Sequence, residues 1–182
     1  MAALSLFVER GYEQTTVQDI ATATGLTERT FFRHFADKRE VLFHGGAEYQ
    51  AAFLRGAAAA PPGSGPFELA TAAIAAAGEF FPDDRRPWSR QRQSVIDANP
   101  ALLERELLKR SALGDALTVA IRDRGIPETD ARIATETGLT AFHLAFHRWI
   151  APGEERALLE IEQDVLARMA ALIPSEAPTS SA

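Results

Sequence analysis

The chain has 182 residues, of which 46% are hydrophobic and 24% charged, and its formal net charge is −6; these values argue against a disordered chain and against a protein that coats nucleic acid with a general positive field. It has no cysteine, which excludes disulfides and thiolate metal sites, and no apolar run approaches the ~18–20 residues of a membrane span. We therefore expect a cytoplasmic protein without membrane association, in which any DNA contact is local.

Apolar residues recur at spacings of three and four almost throughout, a pattern that predicts helices rather than strands and hence an all-α protein. Residues 2–10 are expected to form the first helix, with Leu4, Phe7 and Val8 as its apolar stripe. Gly11 then ends this helix.

The next stretch predicts two short helices joined by a tight corner. Thr16 followed three residues later by Asp19 is typical of a capping box, and Gly25 ends the helix that this box begins. A further helix starts after a single linking residue, with Thr27 as its N-cap. Two helices this close together predict a helix-turn-helix.

Phe31 and Phe35, four residues apart, indicate the buried face of the second of these helices. A helix of this kind fits the major groove of B-DNA. A further helix is expected to begin at Asp37, which places Lys38 where it can meet the DNA backbone. The positions left on the outer faces of the groove helix are Thr27, Glu28, Thr30, Phe32, Arg33 and His34.

The charge pattern supports DNA binding only locally. Residues 27–39 carry four cations and two anions, whereas residues 1–44 carry five cations and six anions. Because phosphate neutralisation supplies most non-specific affinity, two explanations remain open. Either a basic arm precedes Met1 in the native protein, or binding relies on the local cluster and on dimer avidity. We favour the first, because the chain starts within an amphipathic helix.

The remainder of the chain predicts longer helices, after a Pro/Gly-rich loop at 61–66. Their expected ranges are about 67–81, 86–98, 101–124, 128–150 and 154–173. We thus predict three segments: a DNA-binding domain over 1–44, a larger helical domain over 45–174 and a flexible tail over 175–182.

Apolar side chains of the larger domain can line a ligand cavity, although ordinary core is the commoner role for each of them. The candidate pocket residues are Phe80, Phe81, Trp88, Arg92, Ile96, Leu107, Leu117, Ile121, Phe142 and Phe146.

His143 and His147 have the spacing of a zinc clamp on one helix, but no third ligand is evident in the sequence. We therefore expect packing or surface histidines, and neither a metal nor another cofactor.

Residues 11–43, GYEQTTVQDIATATGLTERTFFRHFADKREVLF, resemble the N-terminal DNA-binding domain of the tetracycline-repressor (TetR) family of bacterial transcription regulators. Phe32 stands where a tyrosine is frequent, which removes a hydroxyl that can bind phosphate. The resemblance implies that Thr27, Glu28, Arg29, Thr30 and Arg33 face the groove, and that Thr16, Gln18, Phe32, His34 and Lys38 lie at or near the sugar-phosphate backbone.

In that family the C-terminal part binds a small-molecule effector and forms a homodimer through its last two long helices. The resemblance therefore implies a repressor whose dimer leaves its double-stranded DNA operator when a small, largely apolar molecule binds. The residues expected at the dimer interface are Leu139, Ile150, Leu158, Ile161, Val165, Met169 and Leu172.

Residues 85–125 also resemble actinobacterial regulators related to the mycofactocin regulator, which are associated with acyl-CoA-like ligands. On that basis Arg85, Arg86, Arg90 and Arg92 can bind an anionic head group. A solvated helix face is the simpler explanation of these four residues.

An enzyme is not expected, because the chain shows no nucleophile with a base, metal cluster or phosphate-binding glycine loop. The alternative is a helical adaptor, or a small-molecule-binding protein without DNA binding. Neither explains the corner at Gly25 with its cations Arg29, Arg33 and Lys38.

Overall fold

The computed structural model describes residues 2–172, and the regular structure of these residues is entirely helical. The predicted all-α class is confirmed. The tail predicted over 175–182 lies outside the described residues. Nine α-helices occur within 2–172: α1 Ala2–Arg10, α2 Val17–Ala23, α3 Glu28–His34, α4 Gly46–Ala59, α5 Pro66–Gly78, α6 Arg86–Asp97, α7 Pro100–Arg122, α8 Glu128–Trp149 and α9 Leu158–Leu172, with 3₁₀ turns at Arg39–Phe43 and Asp83–Arg85.

A smaller core lies between α1, α2, α3 and the 3₁₀ turn after α3, and side chains of α6 and α7 complete it. Ile96 and Leu102, from the larger region, have no exposed surface there. The core of the N-terminal segment therefore continues past residue 44, and a domain boundary at that position stays a prediction. Its principal members are Leu4, Phe7, Ile20, Phe31, Leu42, Phe43, Ile96 and Leu102.

A larger core joins α4, α5, α7, α8 and α9. Small residues let α4 and α5 approach closely: a Cβ added to Gly56 would lie 2.3 Å from the carbonyl oxygen of Ala72 and 2.8 Å from the Cα of Ala73. Only glycine fits at this contact.

Two local expectations are wrong. Val8 is 49% exposed, and Leu6 is buried instead beside Leu4 and Phe7. The helix expected from Asp37 is only a 3₁₀ turn of five residues. Gly45, in the left-handed conformation with φ 88°, separates this short segment from α4, and a segment this short favours the 3₁₀ form.

Within residues 2–172, none of the helices combines the length and the apolar composition that crossing a membrane requires.

Candidate DNA-binding surface and effector region

Gly25 shapes the corner between α2 and α3. Its φ of 68° lies in the left-handed region, which glycine adopts without a steric penalty. The Leu26 N–H donates to the Ala21 carbonyl at 2.8 Å, and the Gly25 N–H donates to the Thr22 carbonyl at 3.1 Å. These are the two hydrogen bonds of a Schellman motif, and they let α3 start almost immediately after α2.

Side-chain caps fix where both helices begin, as predicted. The Thr16 hydroxyl accepts from the Asp19 N–H at 3.1 Å, and the Asp19 carboxylate accepts from the Thr16 N–H at 2.9 Å. Hydrogen bonds donated by Thr16 also hold the pKa of the Asp19 carboxyl below its ordinary value. At α3, the Thr27 hydroxyl accepts from the Thr30 N–H at 3.2 Å.

The outer face of α3 is open. Phe31 is 2% exposed and anchors the inner face, with Phe35 half-buried beside it. Among the residues of 2–172, neither Arg29 nor Arg33 has an ion-pair partner, so both guanidinium groups face solvent. The exposed residues here are Thr27, Glu28, Arg29, Phe32, Arg33 and His34, while Thr30 is half-buried.

Three further residues were expected at the DNA backbone, and one of them has a different role. Thr16 and Gln18 are exposed at the start of α2. The Lys38 ammonium instead donates to the carbonyl oxygens of Tyr12 at 2.8 Å and Thr15 at 3.2 Å, and lies 4.2 Å from the centroid of the Tyr12 ring. Lys38 therefore ties the loop after α1 to the segment after α3, and its charge is used within the domain.

Residues 1–44, which contain this surface, match the family described as "Bacterial regulatory proteins, tetR family". We name the matched residues 1–44 the TetR domain. The HTH-type transcriptional regulator TcmR of Streptomyces glaucescens is 43% identical to this chain over 74 residues, which make up 41% of this chain and 33% of TcmR. The chain thus spans about a third of the length of that relative.

The fold beyond the TetR domain also has counterparts in solved structures. Thermus thermophilus FadR, a TetR-family repressor in complex with lauroyl-CoA, aligns with a TM-score of 0.59 and 24% identity over 100% of this chain and 96% of its own. KstR2, the ketosteroid transcriptional regulator of Mycobacterium tuberculosis, aligns with a TM-score of 0.53 and 20% identity over 96% and 92%. At these identities the likeness establishes the fold alone.

The candidate pocket residues outside the TetR domain do not form one site. Trp88 and Ile96 pack in the smaller core, because this face of α6 lies against α1. Leu107 is 50% exposed on α7. The candidates in or beside the larger core are Phe80, Phe81, Leu117, Ile121, Phe142 and Phe146.

The arginines considered for an anionic head group are bound within the protein. Arg92 of α6 pairs with Glu106 of α7 at 3.1 Å, and its hydrogen bond to the Leu42 carbonyl places it at the contact with the TetR domain. Arg90 is exposed and the other three are half-buried, and the head-group role stays a prediction. Their guanidinium groups donate to the carbonyl oxygens of Phe80 (from Arg85, 2.8 Å), Arg156 (from Arg86, 2.6 Å), Ile150 (from Arg90, 2.5 Å) and Leu42 (from Arg92, 2.9 Å).

An aromatic cluster lies among α4, α5 and α8 and in the turn after α5. Tyr49 is near its centre, with ring centroids 5.0 Å from Phe53, 5.8 Å from Phe81 and 6.1 Å from Phe142. Tyr49 was not among the residues expected from the sequence, although its spacing of four from Phe53 in an alanine-rich stretch was a usable signal. The aromatic cluster comprises Tyr49, Phe53, Phe80, Phe81, Phe142, Phe146 and Trp149.

Glu162 on α9 is a second residue that sequence reasoning missed. Its side chain is 1% exposed, and within residues 2–172 neither carboxyl oxygen has a hydrogen-bond partner. It packs against the backbone of α5, where a Cβ added to Gly78 would lie 3.0 Å from the Glu162 Oε1 atom. Burial raises the pKa of the Glu162 carboxyl to about 8.

His143 is bound to Arg110 rather than poised for zinc. The Arg110 guanidinium lies 2.7 Å from Nδ1, which accepts from it when the ring is neutral. Burial, and then the positive charge of Arg110, lower the pKa of His143 to about 3. His147 is exposed, and the described part of the chain groups no three side chains of the metal-binding types.

The residues expected at a dimer interface are mostly occupied within the chain itself. Leu139, Ile150, Leu158 and Ile161 are buried in the larger core, and Val165 and Met169 pack against it half-buried. The apolar stripes of α8 and α9 therefore cover their own subunit. Only Leu172, at 82% exposed, is free; other exposed apolar residues of the two helices are Ile133, Leu144 and Leu159.

Proposed function

We propose that this chain is a dimeric, ligand-responsive DNA-binding regulator, most simply a repressor in the cytoplasm, and not an enzyme. The observation that carries the proposal is the open outer face of α3 in a TetR-family domain, where Arg29 and Arg33 point to solvent. A short capped helix with exposed cations is suited to the major groove.

In this account α3 reads base edges while neighbouring groups hold the phosphates. Arg29 and Arg33 can donate bidentate hydrogen bonds to guanine, and Glu28 can accept from cytosine. The phosphate contacts fall to exposed groups at the two helix starts and on the flank of α3, since Lys38 is engaged elsewhere. These groups are Thr16, Gln18 and His34, while the Phe32 ring lies near the sugar-phosphate backbone without a donor, and Thr27 and Thr30 lie beside the bases.

We place the dimer contact on the outer faces of α8 and α9. Ile133 and Leu144 lie eleven residues apart, about three turns of α8, so they share one face. Leu159 is exposed near the start of α9. Two copies of such a surface, related by a two-fold axis, would hold two α3 helices at a fixed separation.

The junction between the TetR domain and the larger region provides a route from effector to DNA. Glu40 accepts from the Arg105 guanidinium at 2.6 Å and lies 3.4 Å from the Lys109 ammonium, so α7 is ion-paired to the segment after α3. Arg92 of α6 donates to the Leu42 carbonyl of the same segment. A ligand that displaces α6 or α7 would therefore move the TetR domain. The size of this shift is limited by the difference between the ligand's affinities for the two arrangements.

We place the effector in the larger core and expect it to be largely apolar. The acyl-CoA-like class implied by resemblance receives no support from the arginines of 85–92, because each already binds carbonyl groups of the chain. FadR binds lauroyl-CoA, but its 24% identity extends only the fold to this chain.

The direct test is to select binding sites from random double-stranded DNA with the purified protein. We expect enrichment of an inverted repeat that binds two subunits, with affinity that falls steeply as salt rises. Failure to enrich any sequence would instead support a helical adaptor, or a small-molecule-binding protein that does not bind DNA.

A further inference from the structure

We propose that the effector is a compound with an amine or ammonium group on an aromatic or apolar body, and that Glu162 binds this group at the edge of the aromatic cluster. The inference rests on the proposed function, because it assumes that the larger domain holds an effector. It adds the chemical class of the ligand and names the side chain that recognises it.

Within residues 2–172, the Glu162 carboxyl is isolated from hydrogen-bond donors. Buried polar groups in folded proteins nearly always have hydrogen-bond partners, and a carboxyl without one costs stability. Both oxygens of Glu162 lack a partner among the described residues, although the residue is 1% exposed. A leucine at this position would bury no unpaired polar group, so a ligand that supplies the missing donor explains the carboxyl.

The Glu162 carboxyl lies beside the segment that carries Phe80 and Phe81 of the aromatic cluster. Glu162 contacts Gly78, and the chain continues directly from Gly78 into Phe80 and Phe81, with the Phe81 N–H donating to the Gly78 carbonyl at 2.9 Å. Burial raises the pKa of the Tyr49 hydroxyl in this cluster, and Arg92, Glu106, Arg110 and, when ionised, Glu162 act on it as well. Aromatic faces attract cations, and a carboxylate next to them completes a site for an ammonium group.

In the described part of the chain, no arginine near the aromatic cluster is available to bind an anionic ligand. Arg110 is held by His143, and Arg92 by Glu106 and the Leu42 carbonyl. An anionic ligand in the aromatic cluster would have to lie near the Glu162 carboxyl, which stays packed against α5. Both arginines already have partners within the protein and Glu162 has none among the described residues, so a positive ligand is the one that completes the site.

Binding changes the protonation of the site. The raised pKa of the Glu162 carboxyl, about 8, means that it holds its proton at neutral pH in the free protein, and an ammonium ligand releases that proton to solvent. The other groups that face the cluster are Tyr49 on α4, whose pKa burial raises, and His143 on α8, whose pKa lies at about 3, together with the charged side chains Arg92, Glu106 and Arg110. At Gly78, α5 presents no side chain to Glu162. The affinity for an ammonium ligand should thus rise with pH up to about 8, and then fall at higher pH once the ligand's own ammonium group loses its proton.

The test compares three naphthalene compounds of the same shape on the intact protein: 1-naphthylmethylammonium, the neutral 1-naphthalenemethanol and the anionic 1-naphthoate. Calorimetry at pH 8 should show the ammonium compound binding at least ~10-fold more tightly than the alcohol, with the carboxylate weakest. Glu162→Gln should weaken the ammonium compound by roughly 30-fold and leave the alcohol nearly unchanged. Glu160→Gln, an exposed change two residues away, serves as the matched control and should alter neither.

Equal affinities of the wild-type protein for the ammonium compound and the alcohol would overturn the proposal, and so would the binding of none of the three. The pH profile of the wild-type protein provides a second readout that does not depend on how the Gln variant folds; a flat profile between pH 6 and 8 contradicts the role of Glu162. Operator binding measured on the same preparation separates the two ideas. Intact operator binding with no preference for the ammonium compound refutes the ligand class alone, whereas absence of operator binding refutes the proposed function.

Discussion

Arg33 on α3 carries a charge that nothing in residues 2–172 neutralises, although the chain as a whole is acidic. If it contacts a base, Arg33→Ala should weaken binding to the selected operator by about 10- to 100-fold and relax specificity at one base pair. Arg55→Ala is the matched control, since Arg55 is exposed on α4 and has no ion-pair partner among the described residues. Fluorescence anisotropy with labelled operator measures both variants, and equal losses would show that the effect is only one of net charge.

The Glu162 carboxyl predicts a pH dependence of stability. Its pKa is about 8 in the folded protein against an ordinary value of 4.5, so between these pH values the folded state holds a proton that the unfolded state releases. The stabilising contribution is complete below about pH 4.5 and is lost as pH rises to about 8. Urea unfolding should therefore show wild type losing at least ~1 kcal/mol relative to Glu162→Gln between pH 5 and pH 8.

Taking the difference between the two proteins removes the other titrations. The low pKa of His143 makes both proteins less stable as pH falls. Because His143 is present in both, this effect cancels in the difference. A difference that stays constant from pH 5 to pH 8 would mean that the Glu162 carboxyl is solvated or paired in solution.

At the residue scale, the sequence was sufficient where partners are close along the chain. Thr16 with Asp19, and Thr27 with Thr30, are three residues apart, so their caps could be predicted from spacing alone. The hydrogen bonds of Lys38 were not predicted, because its carbonyl partners lie 23 and 26 residues away. The arginines of 85–92 reach partners up to 70 residues distant, which no local pattern reveals.

At the scale of elements, the contact between α4 and α5 depends on Gly56. Gly56→Ala would force a methyl group into the α5 backbone, where the nearest atoms are 2.3 and 2.8 Å from the ideal Cβ position. We expect a loss of ~2 kcal/mol or more in the free energy of unfolding, measured by chemical denaturation. Gly46→Ala at the start of α4 is the control: its nearest neighbour is the Lys109 ammonium at 4.0 Å, and stability should change by under ~0.5 kcal/mol. Similar stabilities of the two variants would contradict this packing.

Helix order was predictable because glycine and proline mark the ends of each periodic segment, and the observed ends of α6, α7 and α8 fall within two residues of the predicted ranges. Which face of a helix meets which neighbour was not predictable. The stripe on α9 that includes Ile161 was assigned to a second subunit, but it packs on its own chain. Periodicity identifies an apolar face without identifying what covers it.

At the scale of the whole molecule, the revised dimer face makes a prediction about assembly. Leu144→Glu places a charge on the outer face of α8 and should shift the protein from dimer to monomer in sedimentation velocity. Leu107→Glu is the matched control, because Leu107 is 50% exposed on α7 and Leu144 is 55% exposed on α8. Dissociation by both variants, or by neither, would place the subunit contact elsewhere.

The central claim is that two α3 helices, held at a fixed separation by one dimer, read two half-sites on the same DNA duplex. Lengthening the spacer of the selected operator by about 5 base pairs turns one half-site through roughly half a helical turn, away from its reading helix. Titration by anisotropy should then show affinity falling to that of a single half-site, whereas changing the central bases without changing their number should leave it nearly intact. Equal affinity for the original and the lengthened operator would contradict the claim.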